Sequence, residues 1–286
     1  MKIRFAVAPG TGVLDRDASL DFADAVERSG FDGVWLSDLP AGPAIDPLLG
    51  LALIAGRTSR VKLGANVVPL GRNPFLLAKE LAALDRISGG RLLLSFVTGL
   101  DQPGEREVLG IDGASRGEAL EQTLALVRSW WRGDQLAALA EAARPLQDPL
   151  EVWLGGRGAR ALERVGRIAD GWLGAMLTPQ EARVARARIQ ESAARAGREL
   201  DPEHFGLSIG YARAQPPLEL LESLSARRGD VDPLALLPAG AAALRSLLER
   251  HIDAGLSKFV LRPAVAAGSW QEELEWLGSA VLDLQS

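Results

Sequence analysis

The stretch Val61-Lys62-Leu63-Gly64-Ala65-Asn66-Val67-Val68, then Pro74 to Ser88 closed by Gly89-Gly90, then Arg91-Leu92-Leu93-Leu94-Ser95-Phe96-Val97 decides the architecture. The two flanking runs are short, apolar and do not alternate, as expected of strands buried on both faces. The run between them reads as a helix. Pro74 stands at its start, where a missing N–H costs nothing, and glycine follows its end, where a left-handed residue closes the last turn. A strand–helix–strand unit of this kind places its two strands in parallel.

Working outward, the same unit recurs along the chain. Strands are expected at 3–8, 33–37, 61–68, 91–97, 151–154, 171–175, 205–212 and 258–262. Helices are expected at 18–29, 47–57, 74–88, 115–131, 158–167, 179–196, 240–254 and 269–284. Thr178-Pro179-Gln180-Glu181 has the pattern of a reciprocal N-terminal capping box. Eight such units predict an α/β protein, a single (β/α)₈ barrel domain over 1–286, with a doubly wound open sheet as the competing arrangement. Two stretches interrupt the pattern: 135–149, helix-like but broken by Pro145 and Pro149, and 215–238, a long insert after the seventh strand. Loops of that length are usually lids or binding segments.

Composition removes several classes of function. The 286 residues include no cysteine, so disulfides, thiolate metal sites and a cysteine nucleophile are excluded. A net charge of −5 gives no basic footprint for nucleic acid. No apolar run approaches the ~18 residues that span a bilayer, and residues 1–10 do not read as a signal peptide, so a cytoplasmic protein is the expectation. Only two histidines are present. His204 precedes a strand, at the wrong end of a barrel for chemistry, and His251 falls late in an outer helix. A histidine metal cluster or a Ser-His-Asp triad is therefore not available.

Barrels of this type place function at the carboxyl ends of the strands. Those ends offer Asp38, Asn66-Val67, Thr98-Gly99, Asp101, Gly155-Gly156-Arg157-Gly158, Ala175-Met176, Tyr211 and Arg262-Pro263. Gly155 to Gly158 follow a buried strand and open a helix, so free N–H groups there suit a phosphate, with Arg157 and Arg160 at hand. The same residues also suit a plain tight turn. Asp38 and Asp101 are the carboxylates able to face each other, but later strands supply no partner for glycosidase chemistry. Such a mouth fits a barrel that cradles an organic cofactor and leaves the hard chemistry to it.

Several segments carry a family resemblance. Gly30-Phe31-Asp32-Gly33-Val34-Trp35-Leu36-Ser37-Asp38, Val61 to Pro69 with Asn73-Pro74, and Leu77 to Arg91 resemble the bacterial luciferase-like monooxygenase superfamily. So do Val152-Trp153-Leu154-Gly155-Gly156, Ala169-Asp170-Gly171-Trp172 and Ala254 to Pro263. The leading likeness is to the branch that uses the deazaflavin coenzyme F420. It implies a (β/α)₈ barrel, a homodimer formed by outer helices, and coenzyme F420 at the strand ends, with FMN as the alternative. Asp38 would contact the cofactor. Asn66-Val67 would form a non-proline cis peptide behind its ring, Thr98 and Gly99 would touch it, and Gly155 with Gly156 would bind its phosphate. The implied activity is hydride transfer to or from a small organic substrate. An FMN monooxygenase and a flavin-binding barrel without catalysis are the alternatives. Leu39 stands where many deazaflavin members have histidine, and Leu100 where sugar-phosphate dehydrogenases of the family have glutamate. Asp101 is the residue left to serve as acid partner. Trp130-Trp131 suits a subunit interface or the core, with core favoured.

Overall fold

The computed structural model describes residues 1–10, 15–100, 104–111 and 115–286. Within them lie strands β1 (Arg4–Val7), β2 (Gly33–Ser37), β3 (Lys62–Val67), β4 (Leu92–Phe96), β5 (Val152–Gly155), β6 (Gly171–Ala175), β7 (Phe205–Tyr211) and β8 (Lys258–Pro263). All pair in parallel in chain order, and β8 closes on β1 through Arg4↔Lys258 to Val7↔Leu261. This is the (β/α)₈ barrel, and its closure rules out the open doubly wound sheet.

Strand alternation sorts the side chains into two shells. Phe5, Val7, Val34, Leu36, Leu63, Ala65, Val67, Leu94, Phe96, Val152 and Leu154 face outward into one buried cluster shared with the helices. Burying side chains of this size contributes about 1.5–3 kcal/mol each. The inward shell is different: Ala8, Trp35, Leu173 and Val260 form a small separate cluster, with Ala6 and Trp153 against it. Two indoles fill the lower barrel because the residues beneath them lack a Cβ. A Cβ on Gly64 would stand 1.9 Å from Trp35 Cε3, and one on Gly171 2.4 Å from Trp153 Cε2.

The helices are α1 (Arg16–Ser29), α2 (Pro47–Ala55), α3 (Pro74–Ile87), α4 (Glu105–Val108), α5 (Arg116–Arg132), α6 (Ala159–Ile168), α7 (Pro179–Arg195), α8 (Leu218–Arg227), α9 (Pro233–Leu236), α10 (Ala241–Asp253) and α11 (Trp270–Val281). Asp15, Asp46, Asn73, Ser115, Thr178 and Ser269 cap α1, α2, α3, α5, α7 and α11 through their side chains, and the expected capping box at Thr178 and Glu181 is present. The 135–149 stretch contains one 3₁₀ segment, Ala137–Ala143. Trp131 Nε1 donates to Ala78 O (3.0 Å), and Trp130 packs on Phe75 with ring centroids 4.6 Å apart, so both indoles join the core's margin. His251 is fully buried on α10, a structural residue as expected.

The insert after β7 is ordered rather than loop-like. It carries α8 and α9 and is anchored by Arg228, which is almost wholly buried. Arg228 donates to Met176 O at the end of β6, to Glu181 Oε1 (2.6 Å) and to Asp230 Oδ1 (3.0 Å). That ties the insert to the mouth of the barrel. No helix among the described residues is long and apolar enough to cross a membrane.

Candidate active site at the strand carboxyl ends

Asp38 leaves β2 at the mouth and is nearly buried. Its Oδ2 accepts from Val68 N–H (3.1 Å) and from Arg72 Nη2 (2.9 Å), and the same guanidinium nitrogen donates to Asp46 Oδ2 (2.9 Å). Asp46 meanwhile caps α2 through Oδ1, accepting from Leu48 N–H (2.8 Å). One arginine thus locks the ends of β2 and β3 to the start of α2. Burial pushes the Asp38 carboxyl above its ordinary value, a larger effect than the opposing pull of Arg72. Arg72, though desolvated, is held above its own ordinary value by Asp46 and Asp38. Asp38, Leu39, Val68, Arg72 and Leu109 line a cavity of about 280 Å³ here. A larger cavity of about 580 Å³ lies at the opposite end of the barrel, lined by Lys62, Glu151, Lys258 and His204. His204 stacks there on Trp153 with centroids 5.3 Å apart, away from the strand ends as expected.

Inside the mouth, Asn66 Nδ2 donates to Ser37 Oγ (3.0 Å), and Ser95 sits beside Asn66 in the β3–β4 register. Ser95 Oγ is buried without a hydrogen-bond partner. Val67 does not join this group. It belongs to the opposite face of β3 and is fully buried in the outer core. The cis peptide expected at Asn66-Val67 is likewise absent, since among the described residues the cis bond is Asp148–Pro149. Asp38 N–H bonds Asn66 O (2.9 Å) and Val97 N–H bonds Val67 O (2.9 Å), so regular extended backbone continues both ladders through this point.

After β4, the Thr98-Gly99-Leu100 turn is fixed by a residue that the sequence did not single out. Glu105, in α4, is buried and accepts from Leu100 N–H (3.1 Å), with Arg116 Nη1 3.7 Å from its other oxygen. Arg116 also donates to Thr98 O (3.2 Å). Gly99 has φ +82°, and a Cβ there would stand 2.6 Å from Glu105 Oε1, so this position requires glycine. Asp101 lies outside the described residues.

Gly155 ends β5, and Gly158 is the N-cap of α6 with no side-chain cap bond. The first N–H groups of α6 are thus unanswered among the described residues, and Gly156 to Arg160 are exposed. Gly156 has φ +112°, and Trp172 Nε1 donates to its carbonyl (2.8 Å), which holds the turn open. Around Gly158 nothing lies within 4 Å of where a Cβ would be. Neither Arg157 nor Arg160 makes a hydrogen bond or ion pair among the described residues; the Asp230 carboxyl of the insert, held below its ordinary value chiefly by its hydrogen bond from Arg228, also feels the charge of Arg157. An uncapped helix start, lined by glycine and flanked by arginines, has the donor set that a phosphate needs. Together with the orphaned Ser95 hydroxyl, these residues fit a phosphate-bearing ring cofactor across β3 to β5.

The structure therefore brings Asp38, Asn66, Thr98, Gly99 and Gly155 to Gly158 to one end of the barrel. Arg72, Asp46, Glu105 and Arg228 were missed. Arg72 had a readable signal, a lone cation in an apolar segment directly after a strand; the others had none before their partners were known.

Comparison with known proteins places the fold and the family. Residues 1–263 match the model of the luciferase-like monooxygenase family. The chain is 29% identical over 261 residues to a 5,10-methylenetetrahydromethanopterin reductase of Methanolobus tindarius, covering 87% of this chain and 75% of that one. It is 29% identical over 206 residues to a putative coenzyme F420-dependent oxidoreductase of Mycobacterium tuberculosis, covering 63% and 57%. Among solved structures, an F420-dependent secondary alcohol dehydrogenase bound to an F420–acetone adduct superposes with a TM-score of 0.81 at 17% identity over the whole of both chains. The monooxygenase RslO1 of Streptomyces bottropensis gives 0.79 at 20% identity, covering 99% of each chain. These likenesses establish the shared fold. A closed eight-stranded parallel barrel with these residues at its strand ends defines the class, and the chain belongs to the luciferase-like monooxygenase family.

Proposed function

We propose that this protein is an oxidoreductase that moves a hydride between coenzyme F420 and a small organic substrate. The observation that carries the reading is the glycine-lined, uncapped start of α6 with two unpartnered arginines beside it, at the active end of the barrel. The F420-dependent name of one relative, the putative oxidoreductase of Mycobacterium tuberculosis, favours the deazaflavin over FMN.

When bound, the deazaflavin supplies a site that accepts or donates hydride. The residues of the chain do the rest. The N–H groups opening α6, with Arg157, hold the phosphate. Asn66, Ser37 and Ser95 offer polar edges to the ring, while Thr98 and Gly99 are set in place by Glu105 and Arg116. Asp38 is held through Oδ2 by Arg72 and Val68, and keeps Oδ1 for a hydrogen bond to cofactor or substrate. Leu39 and Leu100, both exposed, supply apolar cover that would exclude water once the mouth is filled. Asp101, one residue beyond Leu100, is assigned as the acid that exchanges a proton with the substrate oxygen.

The test is an anaerobic assay with oxidised F420 and a panel of secondary alcohols, and with reduced F420 and a panel of enones. Turnover that falls at least tenfold in Asp101→Asn, with F420 affinity unchanged, is expected. Oxygen uptake with reduced FMN, and no turnover with F420, would replace the proposal with oxygen chemistry. Binding without turnover of any kind would leave a flavin-binding barrel.

A further inference from the structure

The mouth also contains a guanidinium that none of the described residues pairs with. Arg262 lies on the same face of β8 as Val260, which packs in the inward cluster, so it projects into the barrel mouth. Its register neighbour on β7 is Gly210, and the side chain packed over that glycine is the apolar Leu237, whose Cδ1 stands 3.1 Å from where a Cβ would be, so β7 offers no polar group at this level. Among the described residues no hydrogen bond or ion pair reaches the Arg262 guanidinium, whereas Arg72, Arg116, Arg213 and Arg228 are each paired with a carboxylate.

A second arginine makes the arrangement stranger. Arg227 is the last residue of α8, exposed and, among the described residues, also without a partner. Its place is fixed, because the next residue is the buried Arg228 anchored on Met176 and Glu181. Burial lowers the affinity of Arg262 for its proton, and Arg227 is close enough to push the same way. Two like charges, one of them desolvated and neither paired with an acid among the described residues, are unfavourable until an anion enters.

We infer that Arg262, assisted by Arg227, binds a carboxylate or phosphate group on the substrate, so that the substrate is an anionic alcohol or carbonyl compound. A guanidinium matches the planar, two-oxygen geometry of such groups. The cofactor phosphate is the other possible source of that oxyanion, but the glycine turn that suits it starts α6 after β5, whereas Arg262 ends β8, three strands further round. The inference rests on the barrel mouth being the active site, and not on which cofactor fills it.

The experiment uses the full chain without cofactor, titrated calorimetrically at low salt with benzoate, phenyl phosphate and the neutral benzyl alcohol. At least one of the two anions should bind at least tenfold more tightly than benzyl alcohol. Arg262→Gln should abolish that preference, and Arg227→Gln should weaken it severalfold. Arg188→Gln, on an exposed face of α7, should leave it unchanged. In parallel, F420 and FMN affinities of Arg262→Gln are measured, and they should equal those of the unaltered protein. Equal binding of anions and benzyl alcohol would overturn the inference, whatever the cofactor result. So would a tenfold loss of cofactor affinity in Arg262→Gln, which would assign the arginine to the cofactor phosphate. Should Arg262→Gln fail to fold, the exposed Arg227→Gln carries the test, and undiminished anion preference in it would refute the two-arginine site.

Discussion

Replacing Gly158 by alanine separates the cost to the fold from the cost to a ligand. Gly158 has φ −72°, which any residue adopts, and a Cβ there meets nothing within 4 Å. Alanine is a poorer N-cap than glycine, so stability should fall by no more than about 1 kcal/mol. The empty space above Gly158 is where the phosphate is placed, however, and a methyl group there would push it off the first N–H groups of α6. Losing one hydrogen bond to a charged oxygen costs about 1.5–3 kcal/mol, or roughly ten- to a hundredfold in affinity. Gly156→Ala is the contrasting case. Its φ of +112° strains any side chain by about 1–3 kcal/mol, and its Cβ would stand 2.7 Å from that of Ala161. That variant should lose both stability and affinity. Urea unfolding gives the first quantity and a fluorescence titration with F420 or FMN the second. Wild-type cofactor affinity in Gly158→Ala would refute the placement of the phosphate.

Other outcomes follow from single buried groups. Both ring nitrogens of His251 are buried without partners, and burial, with Arg250 adding to it, lowers its pKa to about 4. The folded state thus resists protonation: the contribution is complete above about pH 6.5 and is lost as the pH falls towards 4. That loss amounts to about 3 kcal/mol, measured as the difference in pH dependence between wild type and His251→Leu by urea unfolding; parallel curves would contradict it. Arg72→Met should leave the Asp38 carboxylate buried without its cation, cost about 1–3 kcal/mol in the same assay, and lower cofactor affinity as the β2 and β3 ends loosen. Arg228→Met should free the insert, seen as faster cleavage within 215–238 by limited proteolysis; an unchanged cleavage rate would mean that α9 alone secures it.

The barrel was legible because its signals are local and repeated. Unalternated runs such as Leu92 to Phe96, and helix boundaries such as Thr178-Pro179 and Ser88-Gly89, report burial and chain direction without any knowledge of partners. The glycine turn at Gly155 to Gly158 was legible for the same reason, since a strand, the turn and the helix it opens are contiguous. Contacts between distant segments were not. Glu105 reads as an ordinary charge in an acidic stretch until α4 folds back beneath Leu100. Arg228 reads as half of a solvated Arg-Arg pair until α8 lies against the end of β6. The family resemblance puts the Asn66-Val67 peptide bond behind the cofactor ring, but strand alternation turns the Val67 side chain into the outer core, and the ladders on either side keep its backbone regular. Arg262 was noted only as a strand end, because the absence of a partner is a property of the assembled mouth and not of the residue.

The central claim is that this mouth takes a deazaflavin, and the most direct measurement is a titration of the cofactor-free protein with F420 and with FMN, each followed by fluorescence. Micromolar or tighter binding of F420, at least tenfold tighter than that of FMN, is the predicted result. Tight binding of FMN with none of F420 would contradict it.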